Sequence, residues 1–161
     1  MVDRLSTEQR SRLMSNVRHS NTDVERRVCS LLHARGLRFR KNVSTLPGSP
    51  DIVLPKYKAV IFVHGCFWHG HKGCKKSRLP NTRTDFWSQK VAANGDRDRR
   101  KVTDLLTLGW RVAIVWQCAL ERADSREAHV EEFVRWISSA SNQCEIPGRQ
   151  TDGELSSSGI Y

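Results

Sequence analysis

Between His64 and Cys74 the chain reads HGCFWHGHKGC, eleven residues that hold three histidines, two cysteines and an adjacent Phe–Trp pair. Glycines at 65, 70 and 73 work against regular secondary structure, and Lys72 keeps the segment near water, so ordinary core packing is a poor explanation for it. A loop this rich in donors calls for a metal, a reaction or both. The fold must therefore supply rigid elements on either side of it.

The flanking sequence meets that requirement. AVIFV at 59–63 has the length and β-branching of a buried strand, and WRVAIVW at 110–116 reads as a second one. LPGSP at 46–50 is turn chemistry, leading into a short apolar run at 51–54. Thr22 with Glu25 forms a capping-box pattern. Val24, Val28, Leu31 and Leu32 then recur at helical spacing until Gly36, which predicts a helix over 22–35. Helical spacing returns over 84–108, with Asn94 and Gly95 as the natural breaking point, and over 126–139. Helix, strands, helix, strand, helix predicts a three-layer α/β domain over 22–140. Residues 1–21 are expected to form a flexible arm with a short helix, and the Ser/Gly-rich residues 141–161 a disordered tail.

Composition narrows the class. A chain of 161 residues supports one core without staples, and 27 Lys+Arg against 17 Asp+Glu give a net charge of +10. That balance favours a polyanion, with nucleic acid ahead of an anionic membrane. No apolar run approaches the roughly 20 residues that span a bilayer, and MVDRLSTEQRSR lacks a signal-peptide core, so a cytoplasmic protein is expected. In a reducing compartment the five cysteines suit metal better than disulfides, with Cys29 and Cys144 as spares.

Cys66, His71 and Cys74 supply three of the four ligands of a tetrahedral zinc site, and Cys118, just past the second strand, is the best candidate for the fourth. Spacing alone leaves His69 and His71 interchangeable, and small apolar core thiols are the competing explanation. Asp51 opens one strand and His64 ends the next, so paired strands could bring a Mg²⁺-binding carboxylate beside an imidazole. Equally, Asp51 could only close a turn, Glu25 only cap its helix and Asp98 only salt-bridge among arginines. Phe67 and Trp68, flanked by lysines, suit either insertion into a base stack or a small core under the loop, whereas the spacing of Trp87 to Val91 suits ordinary packing.

PGSPDIVL, FVHGCFWHGHKGC, PNTRTDFW, NGDRDRR and LGWRVAIVWQCAL together resemble the very-short-patch mismatch repair endonucleases (Vsr-type), in order over roughly residues 8–138. The resemblance implies a restriction-endonuclease-like fold with a central mixed sheet and a structural zinc. It also implies Mg²⁺-dependent nicking of one strand 5′ to the T of a T·G mismatch in double-stranded DNA, left by deamination of 5-methylcytosine. By position it implies that Asp51 and the carbonyl of Val63 hold Mg²⁺, that His69 is the general base, and that Glu25, His64 and Asp98 support it. Cys66, His71, Cys74 and Cys118 become the Zn²⁺ set. Phe67, Trp68 and Trp87 become a wedge, with Met14 for the opposite groove and Lys90 and Asn94 as readers of the mismatched bases. The resemblance further suggests a monomer linked functionally to a cytosine-5 methyltransferase.

One departure stands out. Nucleases of the broader fold carry an acid and a lysine two residues apart on the strand, where this chain has Phe62, Val63 and His64. The rival readings are a zinc-stabilised DNA-binding module, a double-strand restriction endonuclease of the same fold, and a zinc hydrolase using the histidine-rich loop directly.

Overall fold

The computed structural model describes residues 6, 8, 9, 12 and 22–147. Helix α1 (Asp23–Ala34) begins as the capping box predicts: the Thr22 hydroxyl accepts from the Glu25 amide at 3.3 Å and donates to the Glu25 carboxylate at 3.1 Å. It ends at Gly36, whose φ of +70° lets the Leu37 amide return to the Leu32 carbonyl at 3.0 Å.

Five strands follow: β1 (Arg40–Lys41), β2 (Ile52–Leu54), β3 (Ala59–His64), β4 (Arg111–Trp116) and β5 (Gln143–Ile146). They form one sheet in the order β1-β2-β3-β4-β5, antiparallel up to β3 and parallel from β3 to β5. Between β3 and β4 runs the long helix α2 (Thr84–Thr107). After β4 come the short α3 (Gln117–Glu121) and α4 (Ala123–Ile137).

Strand alternation divides the core. Ile52, Leu54, Ala59, Ile61, Ala113 and Val115 face α1, α3 and α4, where they meet Val28, Leu32, Leu120, Phe133 and Ile137. Val53, Val60, Phe62 and Val112 face α2 and meet Leu105. Both faces are covered, which is why β3 is almost wholly apolar rather than alternating. The result is a mixed α/β domain of three layers around a mixed sheet.

Two expectations need correction. The helix over 84–108 does not break at Asn94–Gly95: the Asn94 side-chain Nδ2 donates to the Trp68 carbonyl instead of competing for the helix backbone, and Trp87 and Leu105 anchor both halves by burial. The tail does not begin at 141. Residues 143–146 pair in parallel with β4, and Ile146 is only 1% exposed. Cys144 and Ile146 alternate onto the α1/α4 side of the core, a two-residue signal too short to stand out beside the serines around it. The folded domain therefore extends at least to Ile146, and Cys144 belongs to it. No described helix is long and apolar enough to cross a membrane.

Candidate active site and metal centre

Parallel pairing brings His64 of β3 beside Trp116 of β4, so the loop after β3 and the start of α3 leave the same end of the sheet. That puts Cys118 against the His64–Cys74 loop. Nδ1 of His71 lies 3.6 Å from Cys66 Sγ and 3.4 Å from Cys118 Sγ, and the ligand atoms of Cys66, His71, Cys74 and Cys118 all lie within 4.8 Å of one another. Tetrahedral bonds of about 2.3 Å to sulfur and 2.05 Å to nitrogen would separate N from S by roughly 3.6 Å. The donor set thus fits a tetrahedral soft-ligand metal. Burial raises the Cys66 thiol and, reinforced by Cys66, pushes Cys118 up to about 12, so without a cation these sulfurs stay protonated. The loop is braced independently of any ion: the Ser77 hydroxyl lies 2.6 Å from the His71 carbonyl and 2.7 Å from that of Cys74, and the His71 ring stacks on Trp116 at 4.2 Å.

Gly70 separates the two imidazoles that spacing left interchangeable. Its φ is +65°, and a Cβ there would lie 2.5 Å from Val91 Cγ1 on α2. Only glycine gives both the left-handed turn and the close approach. On one side of it His71 joins the sulfurs. On the other, His69 turns away and its Nδ1 meets Asp98 Oδ2 at 2.5 Å. Burial alone would raise the Asp98 carboxyl, but the His69 hydrogen bond, with the Lys101 ammonium nearby, outweighs it and holds the group below its usual range. An ionised Asp98 accepts only, so Nδ1 carries the proton and Nε2 keeps a free lone pair.

His64, 5% exposed, stacks on His69 with ring centres 3.9 Å apart and planes 5° from parallel. Burial drives its pKa to about 3, so the ring is neutral at any working pH. His64, His69 and Asp98 are close enough to suggest a second metal site. Their geometry argues against it: lone pairs lie in the ring planes, and two parallel planes this far apart share no point at which one ion could sit.

Asp51 Oδ2 accepts from the Val63 amide at 2.7 Å. Burial nevertheless lifts its carboxyl to about 6, with the buried Glu25 adding to the rise and the Val63 hydrogen bond opposing it. Glu25, Asp51, Val63, His64 and His69 line one open cleft, together with Trp68, Lys90, Asn94 and Lys101. Asp98 meets His69 from an adjoining groove that His64 and His69 also line. Every sequence-nominated catalytic group is thus at the cleft or in contact with a residue that is.

Phe67, Trp68 and Trp87 form one aromatic cluster with ring centres 5.2–6.0 Å apart. Trp87 is its base rather than its tip, since only 6% of it is exposed. Phe67 and Trp68 are half-buried above it. Phe86, 44% exposed, extends the cluster and carries the Arg83 guanidinium 4.6 Å over its ring. Sequence reasoning passed over Phe86, although its position beside Trp87 was a signal. Lys90 Nζ lies 5.8–5.9 Å from the rings of Trp68, Phe86 and Trp87. Asn94, expected to read bases, here donates to the Trp68 carbonyl at 2.8 Å and accepts from Arg97 at 2.9 Å, which fixes the loop that presents Trp68. Met14 lies outside the described residues.

A sequence profile described as "DNA mismatch endonuclease Vsr" matches residues 2–76. The chain is 45% identical over 139 residues to the DNA mismatch endonuclease Vsr of Escherichia coli, covering 85% of this chain and 88% of the relative. It belongs to the Vsr family. Other relatives are the type II nicking enzyme V.XorIIP of Xanthomonas oryzae pv. oryzae, 52% identical over 83% of this chain and 98% of the relative, and V.NmeAIP of Neisseria meningitidis, 40% identical over 87% and 99%. The Vsr profile covers Glu25, Asp51, His64 and the loop to Cys74 but stops before Asp98 and Cys118. The fold returns both of those residues to the same end of the sheet.

Proposed function

We propose that this protein is a Mg²⁺-dependent, strand-specific endonuclease that cuts 5′ to the T of a T·G mismatch in double-stranded DNA, acting in the cytoplasm as a monomer. The reading rests above all on one observation: His69 is held by Asp98 at the Asp51 cleft while its neighbour His71 faces three cysteines. The cysteine and histidine donors suit a structural Zn²⁺, which leaves the His69 ring available for chemistry. The three-layer arrangement around a mixed sheet fits a restriction-endonuclease-like fold.

Asp51 and the Val63 carbonyl are the groups that would hold Mg²⁺, which when bound neutralises phosphate charge and polarises the attacking water. His69 Nε2 takes a proton from that water, and Asp98 stabilises the imidazolium that results. As the new O–P bond forms in line, the bond to the 3′ oxygen breaks and that oxygen takes a proton from solvent water, leaving a 5′-phosphate and a 3′-hydroxyl. Neutral His64, stacked on His69, fixes the plane of the base without competing for the proton. Glu25 adds negative charge beside Asp51.

Phe67 and Trp68, backed by buried Trp87, form the wedge that opens the stack, at a cost of a few kcal/mol that is least at a mismatched pair. Lys90 sits beside the wedge to meet the exposed base edges. The T·G preference is supported by the mismatch endonuclease named among the relatives and by this wedge, and single-strand cutting by the relatives named as nicking enzymes. Deamination of 5-methylcytosine supplies such a mismatch, which links the enzyme to a cytosine-5 methyltransferase.

The test compares T·G with T·A duplexes, with and without added Mg²⁺, for wild type and His69→Ala. Nicking confined to wild type, Mg²⁺ and T·G supports the reading; cleavage of both strands, or indifference to the mismatch and to His69→Ala, rejects it.

A further inference from the structure

We propose that Lys101, carried on α2, is the cation that meets the scissile phosphate in the Asp51–His69 cleft. This rests on the nuclease reading above and names a substrate contact that the reading lacks. The strand positions Phe62, Val63 and His64 offer no lysine, and β3 carries neither lysine nor arginine. Asp51 and Glu25 make the cleft floor acidic, so an incoming phosphodiester needs a compensating cation there beyond any bound metal.

Lys101 has the required placement. It lines the cleft, and its Nζ lies 3.6 Å from Asp98 Oδ1, too far for a strong hydrogen bond. With no closer partner among the described residues, its three donors are not saturated.

The stem of Lys101 is held as well. A Cβ on Gly48, where φ is +73°, would lie 2.6 Å from Lys101 Cδ and 2.7 Å from Cγ. Glycine at 48 therefore gives the methylenes a track across the turn that leads to Asp51, and a side chain held this way loses less rotamer freedom on binding. Phosphodiester hydrolysis builds negative charge on the non-bridging oxygens as water attacks, and a preorganised ammonium beside them stabilises that charge. Helix α2 thus supplies from across the cleft the cation that the strand omits.

The experiment uses Lys101→Met, which keeps the stem on Gly48 and removes the charge; Lys101→Gln carries the same comparison should the first variant fail to fold. Single-turnover nicking of a T·G duplex should fall by about 10²-fold, the order seen when one transition-state donor is removed. Without added divalent ion, the slope of log affinity against log salt should drop by about 0.9, the signature of one lost phosphate contact. Lys101→Arg should recover part of both. A nicking rate within threefold of wild type overturns the proposal. So does an unchanged salt slope accompanied by a shifted pH–rate inflection, since Lys101 would then act through Asp98 on His69 alone. If wild type nicks while Lys101→Met matches it, only this proposal fails; if wild type nicks nothing, the nuclease reading fails with it.

Discussion

Replacing Asp51 by asparagine should make the metal-free protein more stable while abolishing nicking. Asp51 ionises near pH 6 in the folded chain, against 3.8 for an unperturbed carboxyl, chiefly because it is buried. A raised folded-state pKa means that the stability tied to this group is intact below pH 3.8 and is lost as pH rises through 6. A shift of about two units corresponds to about 3 kcal/mol at pH 8 and about half that at pH 5. Asparagine keeps the shape and an oxygen for the Val63 amide but carries no charge. Without added divalent ion at pH 8, Asp51→Asn should therefore melt about 10 °C above wild type. Mg²⁺ should raise the wild-type Tm and leave the variant unmoved. Thermal melts at pH 5 and pH 8 measure the difference directly. A variant no more stable than wild type at pH 8, or an advantage that fails to shrink toward pH 5, would refute the argument that burial of this carboxyl strains the fold.

Cys118→Ser removes the one of four metal donors that comes from outside the loop, so purified protein should lose its bound metal and melt lower, as read by metal analysis and calorimetry. Gly70→Ala must adopt φ near +65° with its methyl against Val91; the left-handed backbone alone costs about 1–2 kcal/mol, and a Tm equal to wild type would contradict the close approach. Trp68→Ala should cut the T·G over T·A preference by on the order of tenfold, since stacking on an aromatic is worth about 1–3 kcal/mol per base, while leaving bound metal unchanged.

Much of the layout was legible because short-range signals were strong and mutually consistent. The Thr22–Glu25 cap, the β3 run and the β4 run each announced an element, and the fourth sulfur could be guessed because Cys118 follows a strand able to lie beside β3. What stayed hidden depended on contacts distant in sequence. Whether His69 or His71 would face the sulfurs turns on one dihedral at Gly70 and its neighbour Val91, which no spacing reveals. The strand at Gln143–Ile146 exists only because β4 offers it an edge. Nothing in the sequence around Lys101 singles it out, because the residue that lies against its stem, Gly48, is far upstream. Trp87 illustrates the converse, because its helical spacing suggested ordinary packing and it is indeed buried, serving the cluster from below.

The turn at Gly70 joins the histidine that faces the sulfurs to the one that meets Asp98. The backbone that brings His71 to the sulfurs also sets the aim of His69 two residues earlier. A peroxide that oxidised Cys66 and Cys118 to a disulfide would remove two of the four donors, yet Ser77 and Trp116 would still hold the loop, and with it the pairing of His69 with Asp98. Such oxidation would empty the metal set while sparing the cleft, and thiol reductant with fresh metal should refill it.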